Sequence, residues 1–130
     1  MSDCIRRDAG DVTILINNAG IHSFKSFMEC KEDEFISVMR VNLFASYWML
    51  KEFLPAMLSR NHGHIVNVVG SAGLFGFCHM FDNCTSKFGQ IGMMESLEHE
   101  LNLAGYDGVI TTLAYPSSIN TTLYAKSRHL

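Results

Sequence analysis

The chain has 130 residues, 48% of them hydrophobic, and a formal net charge of -3. That length suits one domain or part of one, and the apolar content can offset chain entropy, which excludes disorder. The slightly acidic balance gives no electrostatic case for nucleic acid or an anionic membrane.

In chain order, the first residues read as the tail of a helix ending at Gly10, a plausible position just past a helix C-terminus. Val12-Thr13-Ile14-Leu15-Ile16 is a continuous β-branched run stopped by Asn17-Asn18. It predicts a short strand buried on both faces, hence a parallel sheet. Residues 20–30 read as loop. From about Lys31 to Ser59, Phe35, Val38, Met39, Leu43, Phe44, Tyr47, Leu50, Leu54 and Met57 recur at helical spacing. Asn42 sits inside that pattern as a site for a kink.

Asn61-His62-Gly63 is a turn, and Ile65-Val66-Asn67-Val68-Val69 predicts a second buried strand. A glycine-bearing loop spans 70–81. A helix is expected from about Cys84 to Ala104, with Phe88, Ile91, Met94, Leu97 and Leu101 on one side. Val109 to Leu113 is a third strand, broken at Tyr115-Pro116. Strand, helix, strand, helix, strand with long crossovers predicts an α/β, doubly wound parallel sheet.

Cys4, Cys30, Cys78 and Cys84 form no C-x-x-C and lie at no metal-ligand spacing, so they read as buried or free thiols in a reducing compartment. Charges such as Lys51, Glu52 and Arg60 interrupt every long apolar stretch, and the N-terminal residues are polar. No transmembrane segment or signal peptide is therefore expected, and the sequence by itself predicts a cytoplasmic chain.

In doubly wound folds the chemistry sits at the carboxyl ends of the strands. Here those ends carry Asn17-Asn18-Ala19-Gly20, Gly70-Ser71-Ala72-Gly73 and Pro116-Ser117. Together with Asn42, Gly63-His64-Ile65-Val66, Thr85-Ser86-Lys87-Phe88 and Pro116, this order resembles the short-chain dehydrogenase/reductase family over essentially the whole chain. Glu95-Ser96-Leu97 followed by His99-Glu100-Leu101 looks closest to its epidermal retinal dehydrogenase and 17-beta-hydroxysteroid dehydrogenase branch. The resemblance implies a partial Rossmann-type domain over 1–130 and NAD or NADP as cofactor. It also implies a small lipid alcohol or ketone as substrate, and action at the endoplasmic reticulum or lipid droplets.

The same resemblance assigns site residues. The family's lysine, which lowers the acid/base pKa and holds the nicotinamide ribose, matches Lys87. Its asparagine, which holds a water for proton relay, matches Asn42. Its acid/base tyrosine falls on Asn83, and its substrate-binding serine falls on Gly70, with Ser71 directly after as the candidate to take that role. Cofactor contacts are expected at Asn18, Ala19, Gly20, Lys87, Pro116 and Thr121, although the family's glycine after the proline is Ser117 here. No G-x-x-x-G-x-G phosphate turn precedes Asn17.

An amide does not titrate near neutral pH, so the expected state is a truncated, catalytically inactive relative, the degenerate product of a dehydrogenase gene. Two alternatives stand beside it. One is an active or weakly active oxidoreductase, as part of a longer isoform. The other is a non-catalytic module that forms a homo- or heterodimer with an intact family member through the two long helices.

Overall fold

A computed structural model describes residues 2–117. Helix α1 (Ser2–Ala9) leads through Gly10, at φ 81°, into strand β1 (Ile14–Asn17). Helix α2 (Glu32–Met39) follows, then a π turn (Arg40–Phe44) that passes directly into α3 (Ala45–Arg60). Strand β2 (Gly63–Val68), a short 3-10 turn (Ser71–Gly73), helix α4 (Phe81–Leu103) and strand β3 (Val109–Ala114) complete the described chain. The strands are parallel in the order β1-β2-β3, with Asn17 beside Asn67 and Ile65 beside Thr111.

The core lies between the sheet and the long helices. Leu15, Ile65 and Val109 point from the strands against Leu50, Phe53 and Met57 of α3 and Met94 and Leu101 of α4. Alternation along the strands sends the remaining apolar side chains to the opposite face, where Ile14, Ile16 and Ile110 are more than half exposed. This corrects the expectation that β1 is buried on both faces. Among the described residues α3 and α4 cover one face, and nothing covers the other.

Local chemistry sets the element ends. Glu32, Asp33 and Glu34 occupy the first turn of α2, where the helix dipole favours negative charge. The Glu34 carboxylate also accepts from the Lys31 backbone N–H (3.0 Å) and the Lys25 ammonium (2.5 Å). Asn61 closes α3 in the left-handed conformation, donates to Asp107 (2.6 Å) and accepts from Gly108 N (3.1 Å). That brings the turns before β2 and β3 together so tightly that a Cβ on Gly108 would lie 1.8 Å from the Asn61 carbonyl oxygen. Helix α4 begins at Phe81, three residues earlier than its apolar pattern indicates. The buried Asp82 carboxylate accepts from the backbone N–H of Asn83 (2.7 Å) and of Ser23 (2.9 Å), which ties the helix start to the loop after β1. No described helix is long and apolar enough to cross a membrane.

Candidate functional site

The carboxyl ends of β1 and β2, the π turn and the first half of α4 converge on one buried polar cluster. Asn42 is its centre and is fully buried. Its Oδ1 accepts from Ile21 N (2.8 Å), while its Nδ2 donates to Ile21 O (2.9 Å) and Ser86 Oγ (2.9 Å) and lies 3.3 Å from Asn83 Oδ1. The sequence marks Asn42 as a kink, and the structure makes it the middle of a π turn, a form that recurs at functional sites.

Asn83 is 6% exposed and sits in the first turn of α4, its side chain linked to Asn42. One turn later comes Lys87, 7% exposed, whose ammonium donates to Val68 O (2.9 Å) and to Gln90 Oε1 (3.1 Å). Burial pushes the Lys87 pKa down to about 8. Two of its three N–H donors are thus used inside the protein. Gly20 lies over this pair: a Cβ there would come 3.7 Å from both Asn42 Oδ1 and Lys87 Nζ, so glycine leaves the approach to the ammonium unobstructed.

The other predicted positions are placed less centrally. Asn18 and Ala19 are exposed on the loop after β1. Gly70 has φ 75° and ψ 177°, a region open essentially to glycine, so this backbone would strain a serine there. Ser71 opens the 3-10 turn, and its backbone N–H donates to Pro116 O (3.2 Å), which joins the β2 and β3 ends. No described hydrogen bond links Ser71 to Asn83 or Lys87. Thr121 lies outside the described residues.

Sequence reasoning missed Gln90, 1% exposed, whose Nε2 donates to Asn42 O (2.7 Å) and Ser46 Oγ (2.8 Å). Its signal was present in the polar run Asn83, Lys87, Gln90, which continues the helical stripe of Met94 and Leu101 at three- and four-residue steps. Also missed was the buried cross-strand pair Asn17 Nδ2 to Asn67 Oδ1 (2.8 Å) beneath the site.

The site can bind and orient. It holds one amine of lowered pKa and several amides, and an approach kept open by a glycine. A family model described as short chain dehydrogenase matches residues 1–129. The chain belongs to the short-chain dehydrogenase/reductase family. Within this family it is similar to retinol dehydrogenase 10 of Xenopus tropicalis, at 45% identity over 95% of this chain and 36% of that protein. The human retinol dehydrogenase 10 is 44% identical over the same shares. The chain therefore spans little more than a third of the length of these relatives. Among solved structures, a short-chain dehydrogenase/reductase from Burkholderia phymatum in complex with NAD has a TM-score of 0.90 and 30% identity, covering 98% of this chain and 45% of that one. A short-chain dehydrogenase from Streptomyces avermitilis shares the fold, with a TM-score of 0.85. The family's partial Rossmann-type sheet and its retinol dehydrogenase branch thus stand as the sequence motifs imply.

Proposed function

We propose that this chain carries the nicotinamide-side part of a retinol dehydrogenase-like oxidoreductase site, shaped for NAD or NADP and a lipid alcohol or ketone, with proton transfer disabled at Asn83. The observation that carries the reading is the Asn83 carboxamide, buried 3.3 Å from Asn42 Nδ2 at the family's acid/base position. An amide can hold a substrate oxygen by hydrogen bonds but exchanges no proton with it near neutral pH. Loss of a positioned acid/base slows such chemistry by about 10²–10⁴-fold.

The chain's own groups fit the cofactor's nicotinamide end. Lys87 has a third N–H for a ribose hydroxyl, and the Asn18-Ala19-Gly20 turn supplies a wall without a side chain at its closest point. A bound nicotinamide cofactor supplies hydride exchange. Lys87 orients the ribose, Asn42 fixes the loop that carries Gly20, and Asn83 holds the substrate oxygen. Pro116 and Thr121 are proposed to complete the cofactor side, and Ser71 to contact substrate. By the same resemblance, the endoplasmic reticulum or lipid droplets are the proposed setting.

A second reading is favoured by one feature. Tyr47, Leu50, Leu54, Met93 and Leu97 line an apolar groove between α3 and α4, which suits a non-catalytic module pairing with an intact family member.

A thermal melt followed by circular dichroism, with and without NADH, tests the first reading. Elevation of the melting point by NADH, with no hydride transfer from retinol to NAD or from NADH to retinal, is expected. An unmoved melt removes the nicotinamide site, and turnover by the unaltered chain removes the claim of inactivity. Co-purification with an intact relative, without any NADH effect, favours the second reading.

A further inference from the structure

Gln90 stands between the two groups that the site most needs to keep in place. One end of its carboxamide reaches the Lys87 ammonium (3.1 Å), and the other reaches the Asn42 carbonyl (2.7 Å) and Ser46 Oγ (2.8 Å). An ammonium only donates and a backbone carbonyl only accepts, so the amide can sit one way round: oxygen to Lys87, nitrogen to Asn42. The residue is 1% exposed, and a buried amide that finds partners at both ends is held in one rotamer.

We propose that Gln90 is the positioning residue of this site, a strap that fixes the Lys87 ammonium to the π turn at Asn42 and fills the path between them with its own atoms. The proposal rests on the nicotinamide-side reading above and adds what holds its lysine. It also replaces the water relay expected at Asn42. A carboxamide does not pass a proton along near neutral pH, so the link between Lys87 and Asn42 is a fixed brace and not a proton path.

The test is made on the full chain without cofactor, so its outcome is separate from NADH binding. In the unaltered protein the Gln90 side-chain N–H protons should be shifted and slow to exchange in ¹⁵N NMR spectra. Exchange as fast as that of an exposed glutamine overturns the proposal. Gln90→Leu keeps the volume and removes both bonds. Its Lys87 should react with acetic anhydride about tenfold faster or more, since a hydrogen bond to a charged group is lost and the neutral amine is favoured. Gln90→Glu keeps an acceptor for Lys87 and should restore the protection. Unchanged Lys87 reactivity in a folded Gln90→Leu protein shows packing alone and overturns the proposal. If Gln90→Leu does not fold, the exchange measurement on the unaltered chain decides.

Discussion

Asn42 and Ile21 form a reciprocal pair: the side-chain amide of one donates to and accepts from the backbone of the other, at 2.9 and 2.8 Å. The pair works like one rung of a sheet and fastens the loop after β1 to the π turn. Asn42→Ala leaves the N–H and C=O of Ile21 without these partners in a part-buried setting. We expect a loss of about 3 kcal/mol in urea unfolding. Asn42→Asp should cost at least as much, because a carboxylate would face the Ile21 carbonyl and Asn83 Oδ1. A loss under about 0.5 kcal/mol for both would show that the loop is held by other contacts.

Placing tyrosine at position 83 tests how much of the proposed loss of proton transfer lies in one side chain. Asn83→Tyr returns a titratable hydroxyl one turn before Lys87. It does not return a hydroxyl at Gly70, whose φ of 75° resists one, nor does it remove the amide of Gln90. The expected outcome is hydride transfer from NADH to retinal that is detectable but at least about 10²-fold below an intact relative. Full recovery would mean that Asn83 alone accounts for the proposed inactivity.

The buried Lys87 gives stability a definite pH dependence. Its pKa is about 8 in the folded chain, against an ordinary 10.5. Between those values the unfolded chain holds a proton that the folded chain has released, so stability rises with pH. The contribution is complete above about 10.5 and is lost as pH falls through about 8. Lys87→Met cannot titrate and should flatten this slope in urea midpoints taken from about pH 7 to about pH 10. An equal slope in the variant would assign the effect to another group.

Gly108 tests the junction of the turns before β2 and β3. A Cβ there meets the Asn61 carbonyl at 1.8 Å, a backbone atom that cannot swing aside. Gly108→Ala should cost about 2 kcal/mol or more in chemical denaturation. Gly92, where a Cβ meets nothing within 4 Å, is the matched control, and Gly92→Ala within α4 should stabilise slightly.

Ile14, Ile16 and Ile110 form a row of exposed apolar side chains on the uncovered face of the sheet. Such a surface associates. Ile14→Thr with Ile16→Thr should lower light scattering of the purified chain while leaving the helical circular dichroism in place. Scattering that does not change would direct attention to the groove between α3 and α4.

The strands were legible because each is a run of β-branched residues bounded by glycine or asparagine, and the helices because their apolar positions recur at a helical period. Boundaries shifted where long-range bonds decide them. Asp82 ties the early start of α4 to Ser23 N, and Gly63 enters β2 through its bond to Gly108 O. The polar centre was half legible. Asn42 and Lys87 carry a family pattern with Asn83 at its tyrosine position, whereas Gln90 shows in the sequence only as a polar step of the helical stripe, its partner Asn42 O, 2.7 Å away, being 48 residues distant along the chain. Burial of β1 on both faces was overestimated because a β-branched run reports what a strand can bury and not what is there to cover it.

The π turn sets a rotational phase. Each residue in an α-helix advances the side-chain direction by about 100°, and a π turn holds one residue more than the α-helix it interrupts. Val38 of α2, Asn42 of the π turn and Ser46 and Leu50 of α3 are thus buried at steps of four, one inward stripe carried across the junction. Removing any one residue from Arg40–Phe44 would put the two helices out of step. It would swing the α3 stripe off the sheet by about 100° and carry the Asn42 carbonyl away from Gln90. Elsewhere a chain absorbs such a change in length within a loop. Here a single residue of spacing joins the core to the site, and neither can be re-registered without the other.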